Sequence, residues 1–287
     1  MNIMYIISNM WKGWFKRLED LYIITSFIFS DSGREYGITR TQKFKLAWRI
    51  KKNNKSIGSL STAQQHIVLV NEILRIPKGL IGDVVECGCY NGASTANLSI
   101  ACALTKRRLF VCDSFEGLPK PREGESYDIN PHSTDYYVWE ESEFSSEGGE
   151  QQVRQNIKNY GNIDFCIFVK GFFNESLKDI NTDRIVLIFE DADLRSSVED
   201  CIRYLWPKLK IGCKFYSHEA WSFQVVSLFF DEKWWKDNLK THASGFYGSG
   251  WGVPWGAGLG YAIKFDPELI KEQGKKIIHK GSKGLDV

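Results

Sequence analysis

The stretch Val84-Val85-Glu86-Cys87-Gly88-Cys89-Tyr90-Asn91-Gly92-Ala93-Ser94 constrains the chain more than any other. An apolar pair ends in an acid, two glycines follow four positions apart, and an amphipathic run opens at Ala93-Ser94 and continues to about Leu104. The pattern predicts strand, tight turn and helix. Glycine serves where backbone must come close to a ligand, and a new helix directs its first N–H groups at whatever lies there. Alone, the same pattern also describes an ordinary strand–helix corner with a glycine cap. It departs from the Gly-x-Gly-x-x-Gly dinucleotide fingerprint, because Tyr90 stands where the second glycine would fall.

A second segment agrees with the first. Leu109-Phe110-Val111-Cys112-Asp113 is an apolar run ending in a carboxylate, about twenty residues beyond the loop glycines. In a doubly wound sheet that acid reaches the carboxyl edge beside the first loop, where it can accept hydrogen bonds from a ribose diol. Ser114-Phe115-Glu116-Gly117-Leu118-Pro119 follows. Val-Glu-Cys-Gly and then Asp-Ser-Phe-Glu-Gly-Leu-Pro resembles the macrocin O-methyltransferase (TylF-type) family, whose members use S-adenosylmethionine and a divalent metal to methylate sugar hydroxyls. The resemblance runs roughly from Ser59 to Phe265. It implies a Rossmann-like class I methyltransferase fold. It also implies a cofactor site built from Glu86, Gly88, Tyr90, Gly92 and Ser94 of the first loop, Asp113 and Ser114 of the second, and the turn Gly171-Phe172. Thr62, at a helix start, is the nearest match to the family's hydroxyl residue at the methionine end of the cofactor.

The order of elements supports that architecture independently. Ser61 to about Leu74 reads as a helix, with Thr62 and Gln65 spaced as a capping box and Pro77-Lys78-Gly79 as its stop. Helix is expected over Gln151–Tyr160, around Glu175–Lys178 and over Ser196–Leu205. Strand is expected over Phe165–Val169, Arg184–Phe189, Cys213–Tyr216 and, antiparallel in this class, Gly258–Phe265. Strands alternating with helices give an α/β fold, a mostly parallel sheet covered on both faces. Residues 120–149, with Pro121, Pro131, Gly124, Gly148, Gly149 and the aromatic Tyr127, Tyr136, Tyr137 and Trp139 among them, form a long insertion beside the cofactor edge and read as a substrate lid carrying His132.

The resemblance thus implies that residues 57–265 are a methyltransferase domain. Residues 1–56 form a helical, basic extension, and residues 266–287 a tail too poor in apolar residues to fold alone. Arg40, Lys43, Lys45, Arg49, Lys51, Lys52 and Lys55 follow one another with no acid between them, and Lys12, Lys16 and Arg17 precede them. Such a run is either a peripheral contact with anionic lipid or glycan, or the solvated face of a helical arm packed on the domain or on a second subunit of a homo-oligomer. The net charge of +2 gives no field that would favour nucleic acid. Seven cysteines without a Cys-x-x-Cys pair point to buried, reduced thiols. The longest apolar stretch, Leu21–Phe29, is too short to span a bilayer and no leader is expected, which together suggest a cytoplasmic protein.

The chemistry gathers at the later strand ends. Glu190-Asp191-Ala192-Asp193 closes one strand in three carboxylates, more negative charge than a sheet edge can bury unpaired. A divalent cation, magnesium or manganese, would resolve it, and Asp191 matches the family's first metal-binding aspartate. Asp193 could instead orient its neighbours or cap the next helix. Where the family has two further aspartates, this chain has His218-Glu219. Asp191, His218 and Glu219 are the candidate metal ligands, the imidazole shifting preference toward manganese, iron or zinc. Asp191, His218 and His132, in that order, are the candidate bases. Trp234-Trp235, Phe246-Tyr247 and Trp251–Trp255 read either as a saccharide platform or as an interface. The reaction implied is O-methylation of a sugar hydroxyl on a glycosylated metabolite or surface glycan. A catalytically silent cofactor-binding scaffold and a hydroxylase-like relative are the competing readings.

Overall fold

A computed structural model describes residues 18–125, 127–129, 136–253 and 255–266. Lys12, Lys16, Arg17, His132 and the tail beyond Asp266 lie outside the described residues. The strands in chain order are β1 (Asp83–Cys87), β2 (Leu109–Asp113), β3 (Tyr127–Ile129), β4 (Tyr136–Val138), β5 (Cys166–Lys170), β6 (Ile185–Glu190), β7 (Leu209–Ser217) and β8 (Gly260–Ile263). The helices are α1 (residues 18–29), α2 (Arg40–Ile57), α3 (Ala63–Arg75), α4 (Ala93–Thr105), α5 (Gly149–Tyr160), α6 (Phe173–Ser176), α7 (Arg195–Leu205), α8 (Phe223–Leu228) and α9 (Glu232–Leu239).

Every residue of β1 and of β6 is buried. Only a strand covered on both faces can bury both sets of alternating side chains, so these two belong at the centre of a parallel sheet. The sheet order is β5-β2-β1-β6-β7-β8. Its first five strands are parallel and β8 runs antiparallel to β7. The expected doubly wound α/β architecture with a late antiparallel strand is therefore present. Strand order reverses between β1 and β6, which opens a crevice at their carboxyl ends.

Two contacts hold that crevice in shape. Gly88 donates its N–H to Cys112 O at 3.0 Å, and Asp191 donates to Cys87 O at 2.9 Å, so the first loop is clipped to both neighbouring strand tips. Gly88 has φ 86°, and a Cβ there would run into the Asp191 carbonyl oxygen. No other residue type fits. Tyr90 takes a left-handed φ of 46°, so the chain makes the turn a second glycine would make, with a side chain attached.

The N-terminal segment packs on the domain. Ile23 and Phe27 of α1 and Leu46, Ala47 and Ile50 of α2 join the main core, and the expected boundary at residue 56 falls in the last turn of α2. Lys43, expected on the basic face, points inward instead. It is 2 % exposed, and its Nζ donates to Ser30 O at 2.7 Å and Ser30 Oγ at 3.0 Å. Helical spacing places it on the same side as Leu46, Ala47 and Ile50.

A buried polar layer joins α2, α3 and α4. Asn53 Nδ2 donates to Asn97 Oδ1 (2.8 Å), and Asn97 Nδ2 donates to His66 Nδ1 (2.9 Å). The His66 proton then sits on Nε2, which donates to Ser61 Oγ (2.7 Å). Burial holds this imidazole neutral, its pKa lowered to about 3. Six of the cysteines lie in strands or helices and Cys89 in the loop after β1; all are free thiols, buried except for the half-buried Cys166.

Candidate active site

A cavity of about 680 Å³ lies over the carboxyl ends of β1, β2, β6 and β7, a size suited to a cofactor-scale ligand. Of the predicted cofactor residues, Gly88, Tyr90, Ser94, Asp113, Ser114, Gly171 and Phe172 line it. Thr62, Glu86 and Gly92 do not. Thr62 is spent on the capping box of α3, its Oγ1 accepting from Gln65 N at 3.2 Å. The cleft wall there is made by Ser59, Leu60 and Ser61. Gly92 is the left-handed residue that starts α4, packed toward Val153.

Asp113 lies where the strand pattern puts it. Its Oδ2 accepts from Cys89 N at 2.7 Å and its Oδ1 from Phe115 N at 2.6 Å, so one carboxylate fixes both loops. Each carboxylate oxygen keeps a lone pair for a further donor. Gly171 donates to Asp113 O at 3.0 Å, bringing the Gly171-Phe172 turn to the same edge. Ser114 Oγ donates to Gly117 O and accepts from Glu116 N, which shapes the second loop.

Glu86 is sealed under the first loop, fully buried, with no hydrogen bond formed to either carboxylate oxygen. Burial raises its pKa to about 8, Asp191 and Asp113 add to the rise, and the neighbouring Ser94 and Thr95 hydroxyls offset part of it. The folded protein therefore holds this proton between about pH 4.5 and pH 8, while the unfolded chain releases it. Stability falls as pH rises across that window and levels off above it. Glu86→Gln should remove this dependence, a change of roughly 1.4 kcal/mol for each pH unit crossed. Urea denaturation should then find the variant more stable than the parent at pH 8 and near-equal at pH 4.5. A variant whose stability relative to the parent is the same at both values would show that the folded protein does not hold this proton.

At the other wall, β6 and β7 bring together the acids predicted from their ends. His218 Nδ1 lies 3.1 Å from Asp191 Oδ1 and 3.2 Å from Glu219 Oε1. Burial opposes charge on the ring, but Asp191 and Glu219 outweigh it, and the His218 pKa rises well above its ordinary value. Glu190 accepts from Ala192 N at 2.8 Å and is raised to about 8 by burial and by Glu219. Burial, then Glu219 and Asp191, also push Asp193 well up. Two neighbouring acids holding protons and one imidazolium together relieve the excess negative charge inferred from the sequence. Asp191, His218 and Glu219 each offer one ligand atom within 4.8 Å of the others. That mixed nitrogen and oxygen set fits manganese, iron or zinc better than magnesium.

Asp193 does not cap α7. It sits at φ 56° and lines the cleft, and Glu125 of the 120–149 insertion does the capping. Glu125 Oε1 accepts from Ser196 N at 2.7 Å and Oε2 from Ser196 Oγ at 2.8 Å. The 120–149 insertion is thus pinned to the β6 edge, with the paired strands β3 and β4 beyond the pin. Its other end lines the cleft with Trp139 and Phe144, and Trp221, just past β7, faces Trp139 at 6.4 Å between ring centroids. Tyr90 meets Phe144 edge-on at 6.3 Å.

The aromatic residues expected to form a saccharide platform or an interface do not reach the cleft, although Tyr247, Trp251 and Trp255 are exposed on the surface. Trp235 is fully buried against Trp206, Phe246 stacks on Phe229 in the core, and none of the described residues of 234–256 lines the cleft. Of the cleft's own aromatic wall, Trp139 and Phe144 belong to the 120–149 insertion expected beside the cofactor, whereas Trp221 was not separable from core by composition. Trp221 stands two residues after Glu219, and carrying the β7 tip one turn further in the sequence would have found it.

The sequence of residues 57–217 matches the model of the macrocin-O-methyltransferase (TylF) family. Among curated proteins, the 8-demethyl-8-(2,3-dimethoxy-alpha-L-rhamnosyl)-tetracenomycin-C 4'-O-methyltransferase of Streptomyces olivaceus is 32 % identical over 143 residues, 47 % of this chain and 51 % of that protein. The demethyldecarbamoylnovobiocin O-methyltransferase of Streptomyces niveus is 28 % identical over 140 residues, 46 % of this chain and 50 % of that one. The chain therefore spans about half the length of the curated relatives it matches. Two solved structures share the fold. The O-methyltransferase NovP aligns with TM-score 0.55 and 18 % identity over 78 % of this chain and 99 % of its own. The calicheamicin methyltransferase CalS11 aligns with TM-score 0.53 and 15 % identity over 78 % and 93 %. With more than half of its residues matched, and with a doubly wound sheet whose first two strand tips are joined through Asp113, the chain belongs to the macrocin-O-methyltransferase family.

Proposed function

We propose that the protein is an S-adenosylmethionine-dependent O-methyltransferase acting on a sugar hydroxyl of a glycosylated metabolite or surface glycan. The observation that carries this reading is one cleft with two unlike walls. Asp113 and the glycine loop stand on one side of the strand-order switch, and Asp191, His218 and Glu219 on the other. When bound, S-adenosylmethionine supplies an electrophilic methyl on a sulfonium. The chain then has to bind, align and deprotonate. Asp113 accepts hydrogen bonds from the ribose hydroxyls through its remaining lone pairs, and Phe172 covers the base. Trp139 and Trp221 hold the C–H faces of the acceptor sugar and exclude water. Asp191 takes the acceptor hydroxyl's proton, because His218, already protonated between two acids, has no free pair at Nδ1 to accept it. Family membership and the rhamnosyl-bearing compound in the name of the Streptomyces olivaceus relative support the same substrate class.

A divalent ion would be held by Asp191, His218 and Glu219 and would lower the pKa of the acceptor oxygen. A second reading is favoured by the two short contacts of His218 Nδ1. In it the imidazolium supplies the positive charge and the reaction runs without metal. Calorimetry and turnover assays separate the two. S-adenosylmethionine should bind with or without manganese, and absence of binding heat would reject every methyl-transfer reading. Chelator-treated enzyme that loses turnover and regains it with manganese supports the metal. Its affinity should then rise with pH, because the ion must displace the proton from Nδ1. Turnover unchanged by chelation assigns the role to the imidazolium. Cofactor binding with no transfer to any glycoside would leave a silent scaffold.

A further inference from the structure

Outside the cleft, the outer face of α2 is the feature the catalytic reading leaves unused. Between Glu35 and Glu72 the chain has no acidic residue and seven lysines and arginines. Lys43 alone of these is buried, leaving Arg40, Lys45, Arg49, Lys51, Lys52 and Lys55 exposed along α2. Set among them are two large aromatic side chains turned to solvent, Phe44 at 59 % and Trp48 at 69 % exposure, one helical turn apart. Arg40 lies over the ring of Phe29, itself 63 % exposed at the end of α1, with 5.3 Å between guanidinium and ring centre. Phe29, Phe44 and Trp48 therefore form one apolar line with a basic border.

From this juxtaposition of outward Phe29, Phe44 and Trp48 with a border of six exposed cations against one nearby acid, Asp31, we infer that α2 is a peripheral docking face for an anionic lipid bilayer. The charge decides the occupant. A second copy paired symmetrically through this face would set Lys51, Lys52 and Lys55 against their own equivalents, with no acid on α2 to offset them. An anionic surface complements the charges of α2 itself, all of which are positive. Trp and Phe are suited to the headgroup level, where an amphipathic ring has both apolar and polar surroundings, while lysine stems spread to the phosphates. The attachment is peripheral, since no helix among the described residues is long and apolar enough to cross a membrane. The helix ends close to Leu60, which is 65 % exposed and lines the cleft, so docking along α2 brings the cleft rim toward the lipid. This inference does not depend on the methyl-transfer reading.

The test is cosedimentation of the full chain with vesicles of phosphatidylcholine alone and of phosphatidylcholine with phosphatidylglycerol. Binding should require the anionic lipid and weaken as salt is raised. Phe44→Ala with Trp48→Ala, and separately Lys51, Lys52 and Lys55 each→Glu, should each lower the partition coefficient by about tenfold or more. All five side chains face solvent, so thermal unfolding should be unchanged and cofactor binding retained. Failure to bind anionic vesicles overturns the inference, as does binding that the five substitutions leave intact. A concentration-dependent dimer abolished by Phe44→Ala with Trp48→Ala would assign the face to a second copy, and binding of an acidic polysaccharide in place of vesicles would assign it to a glycan. Either result also overturns it.

Discussion

Asp191→Asn is expected to abolish methyl transfer while leaving S-adenosylmethionine affinity within about twofold of the parent. The substitution is nearly isosteric, and the new carbonyl oxygen can still accept from His218 Nδ1, which lies 3.1 Å from Asp191 Oδ1. The clip from Asp191 N to Cys87 O is a backbone contact and survives. What is lost is the negative charge and the capacity to take a proton. Loss of a positioned general base costs on the order of 10²- to 10⁴-fold in rate. If Asp191 also holds a metal, that loss is added. Single-turnover kinetics with calorimetry in parallel would check both halves of the expectation. A fully active variant would remove Asp191 from the chemistry, and a large loss of cofactor affinity would mean that the two walls of the cleft are not independent.

Asp113→Ala should produce the largest loss in cofactor binding, about 1–3 kcal/mol, from the charge-assisted hydrogen bonds to the ribose. The structure adds a complication that the sequence does not reveal. The same carboxylate accepts from Cys89 N and Phe115 N, so the alanine variant also frees two loops. Asp113→Asn separates the effects, because the amide keeps one acceptor oxygen and close to the same shape while losing the charge. Calorimetric titration should rank the parent above Asn and Asn above Ala. Affinity unchanged in both variants would show that the ribose assignment is wrong. A loss confined to Ala would show that Asp113 acts through the loops alone.

The sheet was legible because the central strands carry short apolar runs bounded by acids and glycines. Leu109–Asp113 has the bounds read from the sequence, and the capping box at Thr62 and Gln65 is present. Boundaries moved where packing overrode local pattern. β7 extends back to Leu209 through Gly212, whose φ of 79° lets the strand kink and resume. The helices α8 and α9 went unread because their aromatic residues carry no helical period that distinguishes them from a platform.

The sequence by itself determined which residues stand near the carboxyl tips of the strands, since each apolar run is closed there by a polar or charged residue. That was enough for the fold, for Asp113 and for the Asp191, His218 and Glu219 set. Only the tertiary structure decided what those tips do to one another. Whether His218 lies between two carboxylates, whether Lys43 turns inward, and which tryptophans face the cleft all depend on distances between segments far apart in the chain. Charge and hydrogen bonding act through space, so a linear pattern can name the participants but cannot fix which of them meet.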